Sequence, residues 1–326
     1  TGNILASQSI QSAEESSESL SQKLCSLGQE LMLKTLGDLD RNKKHPNRRG
    51  FEMNTYRLAV MGNPIQHSKS PIIHKMFAQE LNLPIRYERI LVPDEGFERT
   101  VLSFVKNQGY GFNVTLPCKN EAWKLVSECS EEAEAAMAVN TVLIKENGSL
   151  RGENTDGVGL VRDLERNLGS TLHEKNILVV GAGGAVSGVL KRLIDKRPFS
   201  VSIFNRTLEK ADLLASRYPS LVRSVGWKEL RDDYDLVING TSIGVAAGEF
   251  FLPEKILKKA ELSYDMVYSN EPTPFQSWCR SHSDAEAFDG LGMLVEQASE
   301  AFALWFGKKP DTLSVTNQIR HFSNKG

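Results

Sequence analysis

The fold is decided by the run Asn176-Ile177-Leu178-Val179-Val180, which leads directly into the glycine-rich turn Gly181-Ala182-Gly183-Gly184-Ala185. The length and β-branched content of the run are typical of a buried parallel strand. Glycine allows a tight turn and a close backbone approach, and the helix after the turn offers free N–H groups at the positive end of its dipole. Val186 occupies the last glycine position of the dinucleotide fingerprint. The strand before the turn and the helix after it nevertheless favour a dinucleotide site over a purely structural turn.

The end of the next strand, about twenty residues after the turn, predicts which dinucleotide is bound. An acidic side chain there would bind the ribose 2′-hydroxyl of NAD. This chain instead has Asn205, Arg206 and Thr207, followed by Lys210. A guanidinium pairs with a 2′-phosphate, which a carboxylate would repel. We therefore expect NADP, and the alternative is that Arg206 is only a solvated loop cation.

Strands and helices alternate along most of the chain after residue 55. The hydrophobic pattern predicts strands at 56–61, 86–91, 111–115, 176–180, 200–204, 235–239 and 263–268. It predicts helices at 71–81, 95–107, 157–167, 184–196 and from Gly290 to about Trp305. This order is typical of an α/β fold, and the chain length fits two ordinary domains.

Composition argues against several classes of function. The 326 residues carry 41 acidic and 39 basic side chains, a net charge of -2, which gives no general attraction to nucleic acid or to anionic membranes. No apolar run reaches the roughly 18 residues of a spanning helix, and the start lacks the pattern of a signal peptide. The four cysteines lack disulfide or zinc spacing, and His67 and His74 lack a third ligand, so no metal is predicted. We expect a soluble cytoplasmic protein, monomer or homodimer, that binds small molecules.

Residues 1–52 differ in character from the rest, and we interpret them as an extension outside the core. The spacing of four leucines allows one short helix, which would fray or pack against a partner. They are Leu20, Leu24, Leu27 and Leu31. The basic run 41–49 lacks interleaved aromatic residues, which favours a solvated linker over nucleic-acid binding. Met53 stands just before the first strand, and we hypothesise that it is the natural start. Mass spectrometry of the native protein tests this.

A hairpin is predicted around Asn147-Gly148, because runs with strand character flank this strong turn signal on both sides. With a turn at 147–148, Asn140 lies opposite residue 155 within one position. Asn140 and Asp156 should therefore lie at the same end of the ribbon, while the register leaves open whether they share a face.

Several separated motifs carry a resemblance to a known family. They are Gly62-Asn63-Pro64-Ile65-Gln66-His67-Ser68-Lys69-Ser70-Pro71, Asn113-Val114-Thr115-Leu116-Pro117-Cys118-Lys119, Ala138-Val139-Asn140-Thr141, Asn154-Thr155-Asp156-Gly157, Asn205-Arg206-Thr207, Tyr264-Asp265-Met266-Val267-Tyr268 and Asp289-Gly290-Leu291-Gly292-Met293-Leu294. Together with the glycine turn, their order and spacing from about Tyr56 onward resemble shikimate dehydrogenase. Members of that family use NADP to interconvert shikimate and 3-dehydroshikimate in aromatic amino acid (chorismate) biosynthesis.

The resemblance implies that Lys119 and Asp156 are a catalytic dyad. When a hydride reduces a ketone, the oxygen becomes an alkoxide, which a nearby ammonium stabilises and protonates. In the oxidation direction the neutral lysine takes the hydroxyl proton, while Asp156 orients Lys119 and bonds a substrate hydroxyl. Taken alone, a surface lysine and a turn-forming aspartate would be the ordinary interpretation of these residues.

The resemblance also implies the remaining site residues. Those assigned to the substrate, besides the dyad, are Ser68, Ser70, Thr115, Asn140, Tyr268 and Gln297. Those assigned to the nicotinamide half of NADP are Asn239, Thr241, Met266 and Gly290. The implied architecture is two α/β lobes with a cleft between them: a mixed-sheet substrate domain, 54–155 plus 291–326, and a Rossmann-like NADP domain, 156–290. We hypothesise that the lobes close on their ligands.

This chain departs from its relatives at three places: Val186-Ser187 after the glycine turn, Lys210 where a second arginine is common, and Cys118 where an aromatic residue is common. The first two suggest a looser grip on the 2′-phosphate. Cys118 would be a modifiable thiol if exposed, although a small packed side chain is the favoured interpretation.

Two alternatives remain open. A quinate/shikimate dehydrogenase would accept an extra tertiary hydroxyl, often with NAD, and Ser68, Ser70 and Arg206 argue against it. A non-catalytic NADP-binding protein would need neither Lys119 nor Asp156.

Overall fold

The computed structural model describes residues 55–241, 250 and 252–323. The predicted extension, with its leucine helix, its basic run and Met53, lies outside these residues. In the described part, the strands form two six-stranded sheets, each covered by helices, which confirms the predicted α/β class.

The first sheet is mixed. Its strands are β1 (Tyr56–Gly62), β2 (Ile85–Leu91), β3 (Gly109–Val114), β4 (Glu128–Cys129), β5 (Thr141–Ile144) and β6 (Leu150–Glu153). They lie in the order β2-β1-β3-β5-β6-β4. β1 runs parallel to β2 and β3, whereas β5 runs antiparallel to β3 and β6. We call the half of the molecule built on this sheet the first lobe.

The second sheet is wholly parallel, and the half built on it is the second lobe. Its strands are β7 (Asn176–Val180), β8 (Ser200–Phe204), β9 (Val222–Val225), β10 (Leu236–Asn239), β11 (Leu262–Asp265) and β12 (Glu286–Phe288). Their order, β12-β11-β10-β7-β8-β9, reverses direction between β7 and β10. In a doubly wound sheet, ligands bind at such a switch point beyond the carboxyl ends of the strands. The glycine turn follows β7 at this place.

Helices cover both sheets. They are α1 (Ser70–Glu80), α2 (Phe97–Lys106), α3 (Lys119–Leu125), α4 (Glu131–Ala136), α5 (Asp156–Arg162), α6 (Gly184–Asp195), α7 (Leu208–Ala215), α8 (Pro274–His282), α9 (Leu291–Phe306) and α10 (Thr312–Ser323). A π-helix, Asp163–Asn167, continues α5, and short 3-10 helices lie at Trp227–Glu229 and Glu254–Leu257. The helix predicted at 157–167 is therefore two helical forms in sequence.

The strand β7 explains why the second lobe has an apolar layer on each face of its sheet. Ile177 and Val179 pack into one buried cluster with helices α5 and α6, whereas Leu178 and Val180 pack into another with α8. Successive side chains of a strand point to opposite faces, so a strand buried on both faces has a continuous apolar run. The sequence prediction for 176–180 is confirmed to the residue.

The predicted hairpin forms, and its register lies within the one position that the prediction allowed. The Lys145 N–H donates to the Ser149 carbonyl oxygen and the Gly148 N–H to the Lys145 carbonyl oxygen, with Gly148 at φ 82°. Thr141 pairs with Glu153 and Ile144 with Leu150, which places Asn140 next to Asn154 rather than residue 155. The glycine adopts the left-handed conformation and adds one residue to the loop.

No helix within the described ranges is long and apolar enough to cross a membrane. The same ranges contain no group of three or more His, Cys, Asp and Glu side chains placed to hold a metal ion.

Candidate active site

Lys119 and Asp156 each open a helix, and the two helix starts meet. Lys119 is the first residue of α3 and Asp156 the first of α5. The Lys119 ammonium nitrogen lies 2.6 Å from Oδ2 of Asp156, and the two side chains are 17% and 8% exposed. The structure thus brings the predicted proton-handling pair together in a place largely shielded from water.

Asn140 holds the other oxygen of Asp156. Its Nδ2 donates to Asp156 Oδ1 at 2.8 Å, while its Oδ1 accepts from the Thr155 N–H at 2.9 Å. Gln297 Oε1 lies 3.3 Å from the same Nδ2 and from Thr155 Oγ1. The predicted proximity of Asn140 and Asp156 is confirmed, since both oxygens of the aspartate now have a partner.

A close approach of two helices places Gln297. A Cβ added at Gly159 of α5 would lie 2.7 Å from the Gln297 Cβ and 2.7 Å from the Met293 carbonyl oxygen. Only glycine fits there, because any larger side chain would push α9 away from α5. The close packing lets Gln297 reach the network around Asn140.

Behind Asn140 lies a polar layer that the sequence analysis did not assign. Asn113 Nδ2 donates to the Asn140 carbonyl oxygen at 3.1 Å and to Thr141 Oγ1 at 2.9 Å, and its Oδ1 accepts from the Tyr87 hydroxyl at 2.7 Å. Asn113 is 6% exposed and pairs with Thr141 across β3 and β5. A polar residue inside an otherwise apolar strand was the available signal, because such groups are buried only with partners.

Ser68 and Ser70 surround the start of α1. Ser68 Oγ accepts from the Ser70 N–H at 3.3 Å, and Arg89 donates two hydrogen bonds, at 2.6 and 3.0 Å, to the Ser68 carbonyl oxygen. Ser70 is buried. Burial raises the pKa of Tyr87, and a hydrogen bond with the Ser70 hydroxyl opposes that rise. Tyr87 therefore lies between Ser70, which influences its pKa, and Asn113, to which its hydroxyl donates.

Thr115 follows β3 at its carboxyl end. Its N–H donates to the Met61 carbonyl oxygen at 2.9 Å, which ties the ends of β3 and β1 together. Its side chain is half-buried and its methyl group occupies the space beside Gly62. Thr115 thus lies at the same sheet edge as the serine turn and the Lys119 helix.

Tyr268 belongs to the second lobe and touches Lys69 of the first. Burial raises the pKa of its hydroxyl, and a hydrogen bond from the Lys69 backbone opposes the rise. The Lys69 ammonium nitrogen lies 6.0 Å from the centre of the Tyr268 ring and donates to Asn270 Oδ1 at 2.9 Å. The loop after β11 is therefore joined to the serine turn across the two lobes.

The glycine turn has the geometry of an anion cradle. Gly181 has φ +110°, a conformation that side chains rarely adopt, and its N–H donates to the Phe204 carbonyl oxygen at 2.7 Å. A Cβ added at Gly183 or Gly184 would meet nothing within 4 Å, so open space lies before the start of α6. Ala182 and Ala185 are half-buried at the sides of the turn. The buried Val186 at the third fingerprint position fills the space beside Gly240.

The residues predicted to choose the cofactor lie together after β8. Arg206, Thr207 and Lys210 are exposed at the start of α7, and Asn205 Nδ2 donates to the Thr207 carbonyl oxygen at 2.7 Å. Because these cations are exposed beside the glycine turn, a phosphate group can reach them and pair with them.

Asn239, Thr241, Met266 and Gly290 form a separate group around a buried carboxylate, Asp265. Asp265 Oδ1 accepts from Asn239 Nδ2 and the Val267 N–H, both at 3.0 Å, and Oδ2 accepts from Thr273 Oγ1 at 2.6 Å. Asn239 Oδ1 in turn accepts from the Thr241 N–H and hydroxyl. Gly290 packs against the Met266 backbone, where a Cβ has no room.

Asp265 also ends its strand early. The strand predicted at 263–268 stops at Asp265, because the Val267 N–H bonds to the aspartate instead of to a neighbouring strand. Burial raises the pKa of the Asp265 carboxyl, and the hydrogen bonds from Thr273, Val267 and Asn239 oppose that rise. The turn away from the sheet is what brings Tyr268 to the first lobe.

Cys118 and His74 are packed in the interior. Cys118 is 2% exposed, and burial raises its pKa to about 11, in keeping with the packed side chain that was favoured. His74 is stacked on Tyr87 at 4.3 Å, and burial lowers its pKa to about 3 with Asn113 opposing. Neither ring nitrogen of His74 has a hydrogen-bond partner at normal distance in the described part of the chain.

Comparison with known sequences shows three family models along the chain. The shikimate dehydrogenase substrate binding domain matches residues 60–142, shikimate / quinate 5-dehydrogenase matches 163–258, and the shikimate 5′-dehydrogenase C-terminal domain matches 290–320. The shikimate dehydrogenase (NADP(+)) of Alkalilimnicola ehrlichii is 50% identical over 268 residues, which cover 82% of this chain and 99% of the relative. That of Hahella chejuensis is 47% identical over 264 residues, 80% of this chain and 97% of the relative.

Solved structures agree with the sequence comparison. An Ael1 enzyme from Pseudomonas putida superposes with a TM-score of 0.77 at 41% identity, covering 81% of this chain and 97% of that chain. Shikimate 5-dehydrogenase from Thermus thermophilus, solved in complex with NADP(H) and shikimate, gives a TM-score of 0.74 at 31% identity over 82% of this chain and 99% of that chain. The dyad, the glycine turn and the serine turn are thus set in a scaffold shared over nearly the whole length of these relatives, and the chain belongs to the shikimate dehydrogenase family.

Proposed function

We propose that this chain catalyses the reversible NADPH-dependent reduction of 3-dehydroshikimate to shikimate, with Lys119 and Asp156 handling the proton. The observation that carries the proposal is the 2.6 Å contact of Lys119 Nζ with Asp156 Oδ2, shielded from water and fixed by Asn140. An ion pair whose only role was to stabilise the fold would not need the polar side chains that surround Lys119 and Asp156, because such pairs contribute little to stability. Charged groups with several polar neighbours are typical of functional sites.

The residues of the glycine turn fit NADP. Open space before Gly183 and Gly184 leaves the free N–H groups of α6 accessible to a pyrophosphate. Asn205, Arg206, Thr207 and Lys210 would hold the 2′-phosphate, and Asn239, Thr241, Met266 and Gly290 would line the nicotinamide end. NADPH, when bound, supplies the hydride.

Lys119 performs the proton transfer. In reduction, the ammonium hydrogen-bonds to the ketone oxygen, stabilises the negative charge that develops there and donates its proton, so that the oxygen ends as a hydroxyl. In oxidation, the neutral amine accepts the hydroxyl proton. Asp156 holds the Lys119 amine in place through Oδ2, while its Oδ1 is fixed by Asn140, which limits the motion of the pair.

The substrate is proposed to lie between the serine turn and the dyad. Ser68, Ser70 and Tyr268 would bind its carboxylate, and Thr115, Asn140, Asp156 and Gln297 its hydroxyl groups. Short hydroxyl and amide groups suit a small polyol acid, because each must find a partner once water is excluded.

We propose a substrate domain of residues 54–155 plus 291–326 and an NADP domain of 156–290 that close on their ligands. Two crystal forms, with and without ligands, test this: an unchanged angle between the lobes would refute closure. The described cysteines, Cys118, Cys129 and Cys279, are free thiols, which supports a reducing cytoplasm. Sedimentation would distinguish a monomer from a homodimer.

The decisive assay offers shikimate or quinate with NADP+ or NAD+ and follows the reduced cofactor. We expect the highest kcat/KM with shikimate and NADP+. Higher kcat/KM with quinate would favour the quinate alternative, which one of the matching family models includes by name. Absence of turnover with both acids would refute the enzyme assignment.

A further inference from the structure

Helix α4 of the first lobe ends against two side chains of the second lobe. The hydroxyl of Ser187, in α6, donates to the Ala136 carbonyl oxygen at 2.8 Å. Arg217, which follows α7, donates through Nη1 to the Ala135 carbonyl oxygen at 2.9 Å. We propose that Ser187 and Arg217 are positioning residues, which hold the cofactor-binding helix α6 in a fixed place relative to the dyad. The proposal rests on the proposed function, since it concerns the alignment of that cofactor with the groups that move the proton.

The two hydrogen bonds complete the end of α4. The last four carbonyl groups of a helix have no partner within the helix. In α4, the carbonyl oxygens of Ala133 and Glu134 accept from the N–H groups of the two residues after the helix, at 3.2 and 3.1 Å. The other two carbonyls, those of Ala135 and Ala136, are the ones that the second lobe binds. This helix end is held firmly against its donors, because a shielded carbonyl group without a partner is unfavourable.

On the first lobe, a short segment leads from the end of α4 to the dyad. The Val139 N–H donates to the Lys119 carbonyl oxygen at 2.9 Å. The next residue is Asn140, whose Nδ2 donates to Asp156 Oδ1 at 2.8 Å. A displacement of the end of α4 would therefore reach both members of the dyad.

On the second lobe, the same contacts lead to the residues proposed to bind the cofactor. Ser187 lies in the first turn of α6, where its N–H donates to the Gly183 carbonyl oxygen at 3.0 Å. Arg217 follows α7, and the residues proposed to bind the 2′-phosphate lie at the start of that helix. Gly188 brings α6 close to the dyad, since a Cβ added there would lie 3.1 Å from Asp156 Oδ2. Ser187 and Arg217 therefore connect the cofactor site to the acid of the dyad through α4 and α6.

An ion pair joins the same two helices independently. Arg192 of α6 lies 2.6 Å from Glu132 of α4, and the two side chains are 40% and 20% exposed. Loss of the Ser187 and Arg217 donors should therefore loosen the alignment of the helices without separating them. Misplacement of reacting groups by 1 Å can lower a rate about 100-fold. Most residues proposed for each ligand lie in one lobe, so the binding of either ligand alone should depend little on this alignment.

The experiment compares wild type with Ser187→Ala, Arg217→Met, the double variant, Arg217→Lys and Arg223→Met. Arg223 is an exposed arginine of β9 in the same lobe, so its substitution removes the same charge away from α4. The measurements are the single-turnover rate of NADPH formation from shikimate, and the dissociation constants of NADP+ and of shikimate, each bound alone. We expect the rate to fall about 10–100-fold in the double variant, while each dissociation constant changes by less than about twofold. Arg217→Lys keeps a donor and should retain most of the rate, and Arg223→Met should match wild type.

A rate within about threefold of wild type in the double variant would overturn the proposal. Affinity for either ligand alone that falls as much as the rate would overturn it as well, because the side chains would then support one binding site and not the alignment. Urea unfolding checks that each variant is folded. If the double variant is not folded, Ser187→Ala gives the same comparison with a smaller expected loss, and an unchanged rate in it would overturn the proposal. Failure of the proposed function appears separately, as absence of shikimate turnover in wild type.

Discussion

Replacing Lys119 with methionine separates the catalytic contribution of the dyad from its structural one. Methionine keeps most of the side-chain volume but removes the proton donor. General acid–base groups contribute about 10²–10⁴ in rate, so we expect kcat to fall by about a thousandfold, or about 4 kcal/mol of transition-state stabilisation. KM for shikimate should change much less, since Ser68, Ser70 and Tyr268 are untouched.

The same substitution should also affect stability. Asp156, 8% exposed, would keep its hydrogen bond from Asn140 and lose its only cation within 4 Å among the described residues. Removing one partner of a shielded pair then costs about 1–3 kcal/mol, less than for a fully buried pair because Asn140 remains. The double variant Lys119→Met/Asp156→Asn removes the stranded charge, so its stability should return toward wild type while its activity stays low.

The measurements are initial rates of NADPH formation and urea unfolding curves for wild type, Lys119→Met, the double variant and Lys124→Met. Lys124 is an exposed lysine of the same helix, and its substitution should leave kcat unchanged. Retention of kcat within tenfold in Lys119→Met would refute the assignment of the proton transfer. Recovery of activity together with stability in the double variant would show that the pair serves the fold alone.

Three further outcomes are expected. Arg206→Ser should raise KM for NADP+ by about 10–100-fold, because charge-assisted hydrogen bonds contribute about 1.5–3 kcal/mol, and leave KM for NAD+ unchanged; equal effects on both cofactors would contradict the role of Arg206. Asp265→Ala should destabilise the fold by about 2–4 kcal/mol in urea, since the buried donors of Asn239, Val267 and Thr273 lose their acceptor. The pKa of His74 is lowered to about 3 in the folded chain. The unfolded state therefore binds the proton first as pH falls. Stability contributed by neutral His74 is therefore complete above the ordinary histidine pKa and lost as pH falls from there toward 3, so His74→Phe should lose less stability between pH 7 and 4 than wild type does.

The sequence predicted best where one interaction decides the local structure. The strand 176–180 follows from its apolar run alone, because both of its faces are buried. The hairpin register was predicted only to within one position, since either a two-residue loop or a loop with an added left-handed glycine suits Asn147-Gly148. The short helices α3 and α4 were missed, because six or seven residues give too little periodicity to recognise.

The site followed the same pattern. Motifs with characteristic spacing predicted Lys119 and Asp156 as a pair, and the structure brings the two side chains together. They did not identify Asn113 and Asp265 as organisers of the site, since their importance comes from contacts between strands far apart in sequence. Lys69 belongs to one of the motifs, but its contact with Asn270 depends on how the two lobes meet.

The close packing of α5 against α9 has a consequence for recombination. The chain leaves the first lobe through α5, which begins with Asp156, and returns through α9, which carries Gln297. A chimaera that takes the second lobe from another protein at its natural boundaries would therefore also exchange the acid of the dyad or the packing surface of Gly159. Cofactor preference in this scaffold should be easier to alter by substitutions after β8 than by grafting a whole lobe.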